Sequence, residues 1–299
     1  MLPPRAVIVT RPTDHDRLAL RHGTREQARF FLASRGQPAS EIDEVIERHE
    51  QQVAALEAVA AAIPTSWRRA RVSRADLDRF LFEPEDIVVA VGQDGLVANV
   101  AKYLDGQLVV GVNPSAAEGR GVLVRHAPEM VKDVLPAAAA GRATLEERSM
   151  VAARTGDGQE LRALNEIFVG HRGHQSARYR IAFGGRAERH SSSGLIVATG
   201  TGATGWARSI ALARKGAPPL PAPVGPELVF FVREAWPSVR TGVTLVGGTL
   251  GPGAKLTVDS EMEDGGVAFG DGIEDDRLEL PYGQIVTLSR ADQSLRLVA

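Results

Sequence analysis

A carboxylate between two glycines closes an apolar run in Asp86-Ile87-Val88-Val89-Ala90-Val91-Gly92-Gln93-Asp94-Gly95-Leu96. Ile87–Val91 reads as a strand buried on both faces, and the residues from Leu96 to Tyr103 follow a helical pattern. Gly92 and Gly95 would let phosphates approach the backbone, and helix N-terminal amides favour anions. Asp94 at such a turn is placed to accept a proton. The plainer reading is a capped turn with a solvated Asp.

Two further stretches carry chemistry. Gly200-Thr201-Gly202-Ala203-Thr204-Gly205 matches GxGxxG after an apolar strand. A dinucleotide fingerprint of that type needs an acidic residue at the end of the next strand. Here Glu227 precedes its strand, after a run of prolines. A loop wrapping a ligand with amides and the hydroxyls of Thr199, Thr201 and Thr204 fits better; a surface loop is the plain alternative. Asn165-Glu166 lies inside Leu161–Val169, read as one apolar strand. Neighbours on a strand face opposite ways, so one of the pair faces inward, unless this is an edge strand with both solvated. An Asn can bind an adenine edge, and a Glu can accept from ribose hydroxyls. His171-Arg172-Gly173-His174 reads as an exposed turn without zinc spacing. Asp264-Gly265 and Asp271-Gly272 read as turns, and the acidic stretch around them does not fit an EF-hand. No P-loop, HExxH or GxSxG occurs.

The elements that would hold these residues fall into two kinds. In the first half, strands at Ala6–Thr10, Arg69–Val72, Ile87–Val91 and Leu108–Val112 alternate with helices at about Thr24–Arg35, Ala39–Ile63, Ser73–Phe80 and Pro128–Leu135. That alternation implies an α/β domain with a parallel sheet, over residues 1–140. The second half, 141–299, reads as β-rich. Its strands are expected at Ser149–Thr155, Leu161–Val169, Tyr179–Phe183, Leu195–Thr199, Leu228–Val232, Val243–Val246, Ala254–Val258, Val267–Phe269 and Ile285–Leu288. One helix is expected near Gly205–Lys215.

Composition narrows the class. The chain has 299 residues, 43% of them hydrophobic, and a formal net charge of −2, which gives no reason to expect nucleic acid or an anionic membrane as partner. It has no Cys, which excludes disulfides and thiolate chemistry and fits a reducing, cytoplasmic location. No apolar run has the length of a membrane span, and Met1–Arg5 lacks a signal-peptide core. Lys occurs only at 102, 132, 215 and 255; Arg carries the rest of the positive charge, which suits phosphate recognition or reflects genome composition.

Taken in order, these pieces resemble the NAD kinase family, which shares its glycine-rich loop with lipid kinases. Gly92-Gln93-Asp94-Gly95 stands where the family has Gly-Gly-Asp-Gly. Ala163-Leu164-Asn165-Glu166 is similar to its second signature, Ser193–Trp206 to its Gly/Thr-rich third, and Asp271-Gly272 to a late Asp-Gly turn. Ser192–Trp206, Arg233-Glu234 and, more loosely, Glu47-Arg48-His49 resemble the mitochondrial-type branch.

The resemblance implies a Rossmann-like α/β domain, a β-sandwich-like domain, an active site between them, and dimers or larger homo-oligomers. It implies phosphoryl transfer from ATP, with Mg²⁺, to the adenosine-ribose 2′-OH of NAD. Asp94 would be the general base. Gly92, Gln93 and Gly95 would meet phosphates, and Asn165 and Glu166 the adenosine of NAD. Thr204 and Trp206 would line the nicotinamide-ribose side, with Thr199, Thr201 and Asp271 in the same binding set.

Three departures stand out. Gln93 replaces a Gly, and Leu96 replaces the usual Thr. Ser193 replaces the Asp of many bacterial members. The C-terminal tail of those members has no counterpart before Ala299. Gln93 either bends the loop, donates to a phosphate oxygen, or impairs the donor site. A lipid or other alcohol kinase and a catalytically silent dinucleotide-binding regulator are the competing readings.

Overall fold

The computed structural model describes residues 3–36, 39–115 and 121–299. Met1 and Leu2, part of the segment read above for a leader, lie outside them. The chain packs as two units: Met1–Tyr103, Gln107–Leu145 and Leu297–Ala299 form one, and Leu104–Gly106 with Glu146–Arg296 the other.

The first unit contains β1 (Arg5–Thr10), α1 (Asp14–His22), α2 (Arg25–Ser34), α3 (Ala39–Ala62), β2 (Arg68–Ser73), β3 (Asp86–Val91), α4 (Asp94–Ala101), β4 (Leu108–Val112) and α5 (Val131–Ala139). Its strands pair in parallel in the order β2-β1-β3-β4. Every residue of β3 is buried, as its unbroken apolar run requires. Ala55, Val59 and Ile63, with Val131 and Leu135 of α5, share a core with Ile87, Val89, Val91 and Val110. α4 packs on β1, β3 and β4 with Leu96, Val97 and Val100 fully buried.

Two helices differ from expectation. α1 was not expected, because it buries no side chain and so shows no apolar stripe. Its signal is the capping box, in which Thr13 accepts from the Asp16 N–H and the Asp16 carboxylate accepts from the Thr13 N–H. The expected Ser73–Phe80 helix is a 3₁₀ turn, Arg74–Arg79.

The second unit carries β5 (Leu145–Thr155), which begins in the first, then β6 (Glu160–Ala163), β7 (Glu166–His171), β8 (Ala177–Phe183), β9 (Arg186–Ser192), β10 (Leu195–Ala198), α6 (Trp206–Ala213), β11 (Leu228–Val232), β12 (Gly247–Leu250), β13 (Leu256–Ser260), β14 (Gly266–Gly270), β15 (Ile273–Glu279) and β16 (Ile285–Val298). One antiparallel sheet runs β12-β11-β10-β7-β14-β15, and β16-β13-β8-β9 lie in another. Ile167, Val197, Phe230 and Ala268 of the first sheet and Tyr179, Ile181, Val258 and Val286 of the other join one core. The fold class is therefore as expected: α/β with a parallel sheet, then a β-rich sandwich.

Two expected strands change, and two unexpected ones form. Leu161–Val169 is broken into β6 and β7, because hydrogen bonds described below take the amides at the break. Val243–Val246 is irregular, and β12 begins at Gly247. The Glu188 carboxylate captures the N–H groups of Thr244 (3.0 Å) and Leu245 (2.7 Å), so a sheet neighbour cannot have them. β9 and β15 were missed because neither is apolar: β9 follows β8 through a Gly184-Gly185 turn, and β15 is a charged edge strand.

In the first unit, Arg5 grips Asp86 through two bonds, Nε to Oδ1 at 2.7 Å and an Nη to Oδ2 at 2.6 Å, tying β1 to β3. The Asp86 side chain is 0% exposed. Arg5→Ala would strand that charge, so it should cost about 3–5 kcal/mol. Urea denaturation measures this; a loss below about 1 kcal/mol, the worth of an exposed pair, would contradict it.

Candidate active site

In the first unit, β3 delivers the chain to Gly92, whose N–H donates to the Val112 carbonyl at 3.0 Å. The buried Gln52 Nε2, on α3, donates to the Val91 carbonyl at 2.9 Å, closing the end of the strand. Gln93 is the N-cap of α4 and makes no side-chain cap. Its Oε1 instead accepts from Arg11 at 2.6 Å.

Asp94 is not a solvated turn residue. Its Oδ2 accepts the Val122 N–H at 2.9 Å, and its Oδ1 accepts those of Leu123 (2.9 Å) and Val124 (3.0 Å). The approach is so close that a Cβ on Gly121 would lie 2.4 Å from Asp94 Oδ1. A Cβ on Gly95, by contrast, would meet nothing within 4 Å. A glycine in the first turn of a helix costs stability relative to Ala, and no packing here demands it. Gly95 leaves open space beside Asp94.

A cleft of about 120 Å³ adjoins this turn, lined by Arg11, Thr13, Arg48, Gln52, Gly92 and Gln93 among others. Two guanidinium groups and a glutamine amide give it the donors an anion needs. A cavity of about 510 Å³, whose lining includes Ala54, Ala55, Ala58 and Met130, shares Gln51, Pro114 and Ser115 with that cleft. Neither Arg11 nor Arg48 stood out in the sequence as an anion-binding group, since both lie far from the glycine loop along the chain.

In the second unit, Asn165 and Glu166 stand at the break between β6 and β7. The Asp271 carboxylate makes that break. Its Oδ2 accepts the Leu164 N–H at 2.7 Å, and its Oδ1 accepts those of Asn165 (2.7 Å) and Glu166 (3.3 Å). Asn165 therefore sits in a turn rather than inside a strand. Glu166 begins β7 and faces Ala198 across the ladder.

The Thr/Gly-rich loop docks on this same turn. Thr199 is buried; its Oγ1 donates to the Leu164 carbonyl at 2.5 Å and accepts from the N–H groups of Thr201 (3.1 Å) and Gly202 (3.2 Å). A Cβ on Gly202 would lie 2.1 Å from the Asn165 oxygen, so the glycine serves backbone contact. Behind the loop is a residue the sequence reading missed. Arg148 is 2% exposed, pairs with Glu146, and donates to Thr201 Oγ1 (3.4 Å) and the Pro223 carbonyl (3.2 Å). Thr204 donates to the Thr201 carbonyl at 2.8 Å. Trp206 is exposed, stacks on Phe168 at 6.3 Å and carries Arg233 over its ring at 5.0 Å. The structure thus joins Asn165, Glu166, Thr199, Thr201, Gly202 and Asp271 into one hydrogen-bonded platform, with Thr204 and Trp206 on its exposed end. His171 ends β7, with Arg172–His174 exposed.

No protein-family model and no curated protein matches this chain. Solved structures do. Yeast NADH kinase complexed with NADH superposes with a TM-score of 0.62 at 14% identity, over 99% of this chain and 84% of that one. An NAD kinase from Archaeoglobus fulgidus in complex with ATP gives 0.58 at 20% identity, over 99% and 93%. This chain has the NAD kinase fold. At these identities the likeness is one of architecture.

One residue of the platform has an unusual acidity. Burial, with the charge of Asp271 second, pushes the Glu166 carboxyl up to about 7. The folded protein thus binds this proton more tightly than the unfolded chain does. The stabilisation is complete below about pH 4.5 and is lost as pH rises through about 7. Between pH 5 and 8 the chain should therefore lose up to about 3 kcal/mol relative to Glu166→Gln. Denaturant midpoints across that range test this; parallel profiles for the two proteins would contradict it.

Proposed function

We propose that this chain is an NAD kinase that moves the γ-phosphoryl group of ATP to the 2′-OH of the adenosine ribose of NAD. The observation that carries the reading is the platform built by Asp271, in which Asn165 and Glu166 are presented together beside the Thr199–Thr204 loop. An amide and a carboxylate on adjacent residues, whose backbone Asp271 fixes, match the edge of an adenine and the hydroxyls of its ribose. The fold supports the reading, since one of the solved structures named above holds NADH and the other ATP. The motif variants favour the mitochondrial-type branch.

The geometry supports the following roles. Arg11, Arg48 and Gln93 would hold donor phosphates, and the adjoining cavity, which is within the usual size of small-molecule sites, would take the donor's base. Asp94 Oδ2 accepts one backbone N–H and keeps a lone pair. That lone pair would take the 2′-OH proton as the ribose oxygen bonds to phosphorus and the bond to ADP breaks. Asp271 and Thr199 are positioning residues. The cleft beside Gln93 offers two arginines and, among carboxylates, Asp14, which is no oxygen cage for Mg²⁺. That fits an ion arriving on the donor's phosphates, where it would neutralise their charge. We propose a cytoplasmic homodimer or larger homo-oligomer; no helix among the described residues is long and apolar enough to cross a membrane.

A second reading is favoured by one observation: both Asp94 oxygens already hold backbone amides. A silent dinucleotide-binding regulator could keep Asp94 for that purpose alone. Incubating the chain with NAD, ATP and Mg²⁺ and measuring NADP and ADP by chromatography separates the two. NADP formation supports the kinase, and NAD binding without NADP supports the regulator. Asp94→Asn places an amide N–H₂ against backbone donors, so stability should fall by about 1–3 kcal/mol. In an active kinase kcat should also fall roughly 10²–10⁴-fold; an unchanged kcat would remove Asp94 from the chemistry.

Gln93 gives a separate expectation. Because Arg11 aligns its side chain, Gln93→Gly should lower kcat/KM for ATP about ten- to a hundredfold. Steady-state kinetics at saturating NAD measures this, and improved ATP kinetics would show that Gln93 obstructs the loop.

A further inference from the structure

The first turn of α1 and the middle of α3 bring together three groups that the kinase reading does not use. His15, Asp16 and His49 each offer one ligand atom, and these atoms lie within 4.8 Å of one another. The two imidazoles stack with centroids 4.3 Å apart. His15 Nδ1 is buried and has no hydrogen-bond partner among the described residues. A buried ring nitrogen left unpaired is costly unless something occupies it.

The hydrogen bonds around the other two groups set their states. The Thr13 N–H and hydroxyl both donate to Asp16 Oδ2, at 2.8 and 2.9 Å. The single hydroxyl hydrogen is thereby committed. His49 Nδ1 lies 2.9 Å from Thr13 Oγ1, and as the donor in that contact it leaves its other ring nitrogen with a lone pair. An imidazole tied to an oxygen through one nitrogen and free at the other is the usual arrangement of a metal-binding histidine. Asp16 Oδ1 lies 3.6 Å from His49 Nδ1. Burial pushes the Asp16 carboxyl up, but the two Thr13 hydrogen bonds and the two imidazoles outweigh it and hold the group below the usual carboxylate range.

No residue of α1 is fully buried, although the helix packs on α2 and α3, with His22 against Phe31. We propose that His15, Asp16 and His49 form a site for one divalent transition-metal ion of the zinc class, which ties α1 to α3. Two imidazoles and one carboxylate suit zinc, cobalt or nickel; magnesium and calcium prefer an all-oxygen set. Three protein ligands leave a fourth position for water. Ligand atoms around one zinc ion stand closer than the present spread, so the three side chains would draw inward by about 1 Å each. Because Thr13 and Asp14 line the cleft beside Gln93, the ion would also fix one wall of that cleft. The site stands on its own geometry and does not depend on the kinase reading.

The test uses the untagged chain, stripped with a chelator and dialysed. Zinc chloride is titrated in by calorimetry, and cobalt chloride is followed by visible absorption. One ion per chain is expected, with the ligand-field bands of a four-coordinate cobalt site. His15→Gln and His49→Gln should each weaken zinc binding at least about tenfold, and the double variant should abolish the cobalt bands. Circular dichroism checks that each variant is folded. Should a variant fail to fold, hydrogen exchange of the wild-type chain replaces it: zinc should slow exchange in α1, and unchanged exchange overturns the site. Absence of saturable binding, or binding retained in a folded double variant, also overturns it.

Discussion

A backbone N–H that has left its ladder must find another acceptor, and in this protein two aspartates meet that requirement for both motif-bearing turns. Asp94 holds the amides of Val122, Leu123 and Val124; Asp271 holds those of Leu164, Asn165 and Glu166. Each carboxylate fixes a stretch of chain that no strand or helix could fix in that shape. The surrounding glycines follow from this. Gly121 must be bare because Asp94 reaches its backbone, and Gly202 must be bare because the Thr/Gly-rich loop lies on the turn that Asp271 made. The charge has a second effect on Glu166, whose proton is held partly because Asp271 is ionised nearby.

Arginine plays the complementary part, serving carbonyls where aspartate serves amides. Arg214 donates to the carbonyls of Val246 (2.7 Å) and Val232 (2.5 Å), fastening the end of α6 to the sheet. Arg162 reaches the Leu104 carbonyl at 3.3 Å and Arg296 the Gly106 carbonyl at 2.9 Å. Arg148 does the same behind the Thr/Gly-rich loop. A planar fork with five donors can serve two acceptors at once, which a lysine ammonium on its flexible stem does less well. The preference for arginine therefore has uses in the fold besides anion binding.

The legible parts of the sequence were those whose cause is local. β3, β4 and β11 are apolar runs between turn residues, and Leu108–Val112 and Leu228–Val232 have the expected bounds. The parallel sheet and the β-rich second half followed from the same patterns. The illegible parts are caused at a distance. Leu161–Val169 reads as one strand because nothing nearby announces that Asp271, more than 100 residues on, will take its amides. Val243–Val246 is similar, with Glu188 as the cause. β9 and β15 carry few apolar residues, since each pairs at the margin of a sheet. Asp94 was legible as a residue that matters, while its hold on the segment 122–124 was not. Arg11 and Arg48 became candidates once folding put them beside Gln93.

The central claim is that the Asp271 platform exists to hold the adenosine end of NAD. A crystal structure of the chain soaked with NAD tests it most directly. The account predicts adenosine ribose hydroxyls within hydrogen-bond reach of the Glu166 carboxylate, and the adenine edge against Asn165. NAD bound in the crystal without touching either residue would contradict it.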